Sequence, residues 1–164
     1  MKVQISLISL ISVYLILFSN NISSAVFGSY ENNQKPFIER LSVLYASAVD
    51  GRDFEELREV FDDSAVLEGP GFQFTGIEEI ISGMEGLRQF DRTQHFVMNQ
   101  NLRIENMNAV NEVYTIAYHF YKKDEKEHRL DWGIKYTDSL KRVKGKWKIL
   151  NRKLSLIWQK DEQI

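Results

Sequence analysis

The sequence predicts an α+β domain in which N-terminal helices pack on one face of a mainly antiparallel sheet. Two observations predict it. Apolar residues recur at helical spacing through most of the chain up to Met84, and after Gly86 four long extended runs follow one another across short polar turns. Helices first and strands afterwards is the layout of a segregated sheet covered on one side by helices.

The chain opens with Lys2, an apolar run from Ile5 to Phe18 and the small-residue site Ser23-Ser24-Ala25. This is a signal-peptide pattern. It leads us to expect export, with cleavage after Ala25 and a secreted or periplasmic protein. The run is shorter than the about 20 residues of a spanning helix, so no stable membrane insertion is expected after processing; an uncleaved anchor is the alternative. Residues 26–35 are polar and turn-rich and read as a flexible arm, and residues 36–160 as the single domain.

Pro36 marks the start of the first helix. Phe37, Ile38, Leu41, Leu44, Tyr45, Ala48 and Val49 form its apolar stripe, and it ends near Gly51, which puts Asp50 in its last turn. A second helix starts at Asp53, with Glu56 completing a capping box, and buries Phe54, Leu57, Val60 and Phe61. The third repeats the device with Thr75 and Glu78 and turns Ile77, Ile80, Ile81 and Met84 inward. Between them, Ala65 to Phe74 holds Gly69, Pro70 and Gly71 between apolar residues, the mark of a short hairpin. The extended runs are Thr93 to Ile104, Val110 to Lys122, Arg129 to Arg142 and Trp147 to Trp158, and they read as a meander.

Composition narrows the chemistry. The chain has no cysteine and a net charge of −2, which excludes a disulfide framework, a thiol nucleophile and cysteine-bound zinc, and leaves no basic footprint for nucleic acid. Its three histidines lack metal-ligand spacing. No glycine-rich phosphate loop and no Gly-x-Ser-x-Gly elbow occurs. No metal and no cofactor is expected.

Strand alternation then assigns faces. Tyr114, Ile116, Tyr118 and Phe120 share one face of their strand, and Leu130, Trp132, Ile134, Tyr136 and Asp138 one face of the next. These aromatic faces are expected to look toward the helices and enclose either a packed core or a pocket, with Tyr118, Trp132 and Tyr136 supplying polar handles. His119 is then expected on the opposite face, with Thr115, Ala117 and Tyr121, where the sheet would meet a second copy in a homodimer.

Several of these stretches have a familiar order and spacing: the helix ending Tyr45 to Asp50, then Phe61-Asp-Asp-Ser-Ala65, Thr93-Gln-His95-Phe96, Tyr136-Thr-Asp138, Gly145-Lys-Trp147-Lys-Ile149 and Arg152. Together, from about Phe37 to Trp158, they resemble the SnoaL-like branch of the nuclear-transport-factor-2-like superfamily, which includes scytalone dehydratase, polyketide cyclases and a dehydrochlorinase. The resemblance implies a cone-shaped α+β barrel built on a curved sheet. It also carries catalytic roles onto Asp50 and His95, a carboxylate orienting a histidine base. Arg152 matches a basic cavity residue of the dehydrochlorinase and would lie near Asp50. Tyr45, Leu67, Tyr118, Trp132, Tyr136 and Arg152 form the expected substrate-binding set. The expected function is elimination, hydration or isomerisation of a small hydrophobic molecule, and the alternative is a non-catalytic ligand-binding or dimerisation module of the same fold.

Overall fold

Residues 32–51 form the first helix, α1, of the computed structural model, which describes Tyr30 and residues 32–164. The expected leader, residues 1–25, and most of the expected arm lie outside the described residues. Phe37–Ile164 forms one compact unit; the chain through Pro36 clusters as another, of which Tyr30 and residues 32–36 are described and helical. The helix therefore starts upstream of Pro36. In the opening turns the missing proline N–H removes at most one intrahelical bond.

On the inner face of α1 lie Ile38, Leu41, Tyr45, Ala48 and Val49, all buried, whereas Phe37 is 65% exposed and drops out of the stripe. The helix ends in a Schellman arrangement: Asp53 N–H donates to Ala48 O at 3.0 Å and Arg52 N–H to Val49 O at 3.2 Å. Its left-handed residue is Arg52, at φ +60°, and not the neighbouring glycine.

A 3₁₀ turn, Phe54–Glu56, leads into the one-turn helix α2, Leu57–Val60. Asp53 makes no side-chain cap, and Phe61 opens a strand instead of closing the helix. Helix α3, Ile77–Met84, is capped by Gly76, and Thr75 N–H donates to Glu79 Oε2 at 2.8 Å. Glu78, the expected box partner, instead meets Arg58 at 2.6 Å. Ile77, Ile80 and Met84 are buried as expected.

The strands are β1 (Phe61–Gly69), β2 (Phe72–Thr75), β3 (Arg92–Glu105), β4 (Asn108–Lys123), β5 (Lys126–Val143) and β6 (Lys146–Gln163). They form one sheet in the order β2-β1-β6-β5-β4-β3, antiparallel except where β1 runs parallel to β6. Register shifts in β3 between Val97 and Gln100, and in β6 at Ile157 and Leu150, opposite the Gly133–Ile134 and Ser139–Leu140 steps of β5, bend the long strands. The result is a curved sheet with helices on its inner face. Among the described residues no helix is long and apolar enough to cross a membrane.

Pairing corrects the face assigned to β4. Ala117 lies opposite Trp132, Thr115 opposite Ile134 and Val113 opposite Tyr136, and residues directly opposite share a face. With Ile134 and Tyr136 buried, the inner residues of β4 are Val113, Thr115, Ala117 and His119, all 4% exposed or less. Tyr114, Ile116, Tyr118 and Phe120 face outward. There Phe96 packs edge-on to Tyr118, and the guanidinium groups of Arg129 and Arg92 lie 4.4 Å and 3.8 Å from the Tyr118 and Phe120 ring centres. Both faces of β4 can be covered, so hydrophobicity did not distinguish them.

Beneath α1 the sheet carries an ion pair. Arg152 donates twice to Asp138, Nε to Oδ1 and Nη2 to Oδ2, each at 2.7 Å, and both residues are at most 1% exposed. Burial opposes the guanidinium charge, but Asp138 outweighs it and holds Arg152 firmly protonated. Removing one partner strands the other charge in the interior, at a cost of about 3–5 kcal/mol. Asp138→Ala should therefore lower unfolding stability by that amount in a denaturant titration. Glu68→Ala, which breaks the exposed pair with Lys153 at 3.2 Å, should cost less than about 1 kcal/mol.

Candidate functional site

Asp50 and His95 come from elements far apart in sequence, and the fold brings them together. The last turn of α1 delivers the carboxylate and the start of β3 delivers the histidine. His95 Nδ1 lies 2.6 Å from Asp50 Oδ1, and His95 N–H donates to Asp50 Oδ2 at 2.8 Å. Thr93, two residues earlier on the same face, donates its hydroxyl to Asp50 Oδ1 at 2.9 Å. Burial works against the Asp50 charge, yet these donors and the His95 ring together hold its carboxyl below its ordinary value. An ionised carboxylate only accepts, so Nδ1 of His95 carries the hydrogen. In the neutral ring the lone pair is then on Nε2.

That ring forms part of the wall of a cavity of about 230 Å³ between the helices and the inner face of the sheet. Asp50 stands behind the histidine and is not a wall residue. Tyr45, Leu67, Trp132 and Tyr136, all expected at the site, line the cavity, and the small Ala117 leaves the space. Phe72, Phe74, Met84 and Leu87, which sequence reasoning did not assign to the site, complete an apolar wall. Helix α3 contributes through a glycine: a Cβ on Gly83 would stand 2.3 Å from the Phe74 ring, so only glycine lets that ring lie here.

Two expected binding residues are elsewhere. Tyr118 is on the outer face of β4, as the register requires. Arg152 is fully buried and spent on Asp138, its guanidinium carbon 4.5 Å and 4.4 Å from the ring centres of Tyr45 and Tyr136. It underlies the two wall tyrosines without lining the cavity, and is not the cation beside Asp50. Arg52 is that residue: its guanidinium donates to the Thr93 hydroxyl at 2.6 Å.

His119, expected on the other face, is a wall residue. Its Nδ1 lies 3.1 Å from the carbonyl oxygen of Leu130, which can only accept, so Nδ1–H is the donor. Its ring centre is 5.1 Å from that of Trp132 and 6.3 Å from that of His95. Burial pushes its pKa down to about 4. The ring is neutral near pH 7 and presents an acceptor. The β4–β5 register would have revealed it, since the partner of Trp132 is Ala117 and His119 shares its face. Among the described residues no group of three or more His, Asp or Glu is placed to hold a metal ion.

The sequence profile of the SnoaL-like domain matches residues 35–153. No curated protein matches the chain in sequence. Among solved structures, a candidate scytalone dehydratase from Novosphingobium aromaticivorans is 24% identical, with a TM-score of 0.74 over 84% of this chain and 93% of that one. A hexachlorocyclohexane dehydrochlorinase, LinA type 2, is 15% identical, with a TM-score of 0.72 over 80% of this chain and 90% of its own. The Kfla4162 protein of Kribbella flavida is 18% identical, with a TM-score of 0.74 over 79% of this chain and 95% of its own. These likenesses establish the fold as the nuclear-transport-factor-2-like cone.

Neutral burial of His119 has a consequence for stability. Its folded pKa of about 4 lies below the ordinary 6.5, so between those values the unfolded chain binds the proton more readily. Stability contributed by the neutral ring is intact above pH 6.5, falls as pH drops toward 4, and levels off below, a loss of about 3 kcal/mol. Comparing urea unfolding at pH 7.5 and pH 4.5 should show this loss in the parent. His119→Asn should reduce it to the part due to other groups.

Proposed function

The chain belongs to the SnoaL-like domain family, and from that premise we propose that its cavity takes up a small, uncharged, largely apolar molecule on which His95 acts as general base. The reading is carried by one observation. His95 sits in the wall of an otherwise apolar cavity with its Nδ1 2.6 Å from the Asp50 carboxylate. A ring held this way offers Nε2 to a substrate proton, and the carboxylate behind it supports the imidazolium that forms. Burial of the site strengthens that support, because fewer water dipoles screen it.

The chemistry follows from these groups. His95 Nε2 removes a proton from carbon or from a water molecule, and the electron pair left behind forms a double bond or attacks a neighbouring centre. The imidazolium then returns the proton to a departing group or to another carbon. Elimination, hydration and isomerisation share these steps and need no redox partner. His119 does not serve as the acid near neutral pH, because its ring is neutral and its Nδ1–H is engaged by Leu130. Its role is to accept a hydrogen bond from the ligand.

His95→Gln should reduce turnover of a substrate found by ligand screening about 10²- to 10⁴-fold, with the fold intact by circular dichroism. Asp50→Asn should act in the same direction and more mildly. Unchanged turnover in His95→Gln would remove the catalytic reading, and ligand binding without turnover in the parent would favour the non-catalytic binding module.

Export completes the reading. It rests on Lys2, the apolar run Ile5 to Phe18 and the Ser23-Ser24-Ala25 site. N-terminal sequencing of the secreted or periplasmic product should begin at Val26, whereas an intact Met1 on a membrane-bound product would establish the anchor. Homodimer formation through the sheet belongs to the same proposal. It now rests on the outer face that exposes Phe96, Met98 and Tyr114.

A further inference from the structure

Arg52 holds a backbone conformation, φ +60°, that costs a non-glycine residue about 1 kcal/mol. Gly51 immediately precedes it, so the left-handed position is occupied by the larger residue. The side chain accounts for the choice. Nη1 donates to Val49 O at 2.7 Å and to Thr93 Oγ1 at 2.6 Å, and Nη2 donates to Leu87 O at 3.2 Å and Phe90 O at 3.4 Å. One guanidinium thus joins the end of α1, the start of β3 and the 3₁₀ turn Glu85–Gln89, which supplies Gly86, Leu87 and Gln89 to the cavity wall.

The link to Thr93 has a direction. A guanidinium only donates, so the Thr93 oxygen accepts from it and keeps its own hydrogen for another partner. That partner is Asp50 Oδ1, at 2.9 Å. Asp50 then receives three donors, the Thr93 hydroxyl, His95 Nδ1–H and His95 N–H. Each comes from a fixed direction, so the carboxylate has one orientation. A hydroxyl without Arg52 would be free to rotate away.

We propose that Arg52 is a positioning residue, which through Thr93 aims the Asp50 carboxylate at His95 and through the Leu87 and Phe90 carbonyls keeps a wall segment of the cavity in place beside the dyad. The inference rests on His95 acting as base. A planar fork with several donors is required, which lysine, carrying the same charge on one nitrogen, does not provide.

The test uses ligand-free protein, so its outcome is independent of whether a substrate exists. The Asp50 carboxyl carbon is followed by NMR through an acid titration in the parent, Thr93→Val, Thr93→Ser and Arg52→Lys. Loss of one hydrogen bond to an ionised group is worth about one pH unit in the midpoint. Thr93→Val should raise the Asp50 midpoint by that much, Arg52→Lys should raise it in the same direction, and Thr93→Ser should restore the parent value. The Asp62 carboxyl, held by the Ser64 hydroxyl and backbone N–H, serves as a control, and its midpoint should be the same in all variants. A parent-like midpoint in Arg52→Lys or in Thr93→Val, or a Thr93→Ser midpoint matching Thr93→Val, would overturn the proposal. Should Arg52→Lys fail to fold, Arg52→Gln takes its place, with the same rise expected and a parent-like midpoint overturning the proposal. A raised midpoint in a protein that turns over nothing would leave the positioning role standing and remove the catalytic one.

Discussion

A half-buried carboxylate at the C-terminal end of a helix is doubly disfavoured, by lost solvation and by the partial negative charge of the helix end. Asp50 is held in that position because one strand supplies all its donors: the Thr93 hydroxyl, the His95 backbone N–H and the His95 ring. The arrangement ties the end of α1 to the start of β3. Tyr45, five residues earlier on that helix, lines the cavity. The same bonds put the ring hydrogen on Nδ1, so the contact that ties helix to strand also orients the His95 ring.

The cavity depends on a division of labour between strands. β4 turns its small residues, Thr115 and Ala117, inward, while β5 turns Trp132, Ile134 and Tyr136 inward. Large against small leaves room that two large faces would have filled. Curvature from the register shifts in β3 and β6 lets α1 and α3 roof that room without collapsing into it. Beneath it, Arg152 and Asp138 neutralise one another under the rings of Tyr45 and Tyr136. The tyrosines rest on a cation. Burial raises both phenol pKa values, although Arg152 acts in the opposite direction, so both stay protonated and uncharged.

Much of this was legible in the chain because it is local. Ile77, Ile80 and Met84 announce their buried face by helical spacing, and the four strands appear as long runs divided by turns such as Lys144-Gly145. Asp50 and His95 were found through motifs surrounding each, and their pairing was expected from family resemblance. The errors came where two answers satisfy the same local pattern. β4 alternates aromatic residues with small or polar ones, and either face could be buried. The capping boxes at Asp53 and Thr75 have the right spacing, but a helix of one turn and a glycine cap used other bonds. Arg152 was identified as important but assigned to the wrong surroundings, since nothing near it in sequence points to Asp138.

Resemblance to the SnoaL-like family pointed to Asp50 and His95; by itself the sequence determined the order of elements, the extended or helical character of most of them and the absence of thiol chemistry. These follow from periodicity and composition, which a chain carries whether folded or not. Tertiary structure alone decided which face of β4 looks inward, that His119 joins the cavity and Tyr118 leaves it, and that Arg52 and not Arg152 stands beside the carboxylate. Each is a question of register between paired strands or of a contact more than ten residues apart, as between Arg152 and Asp138 or Arg52 and Thr93. A one-residue change of register reverses a strand's faces while leaving its pattern intact, so only pairing with β5 could choose between them.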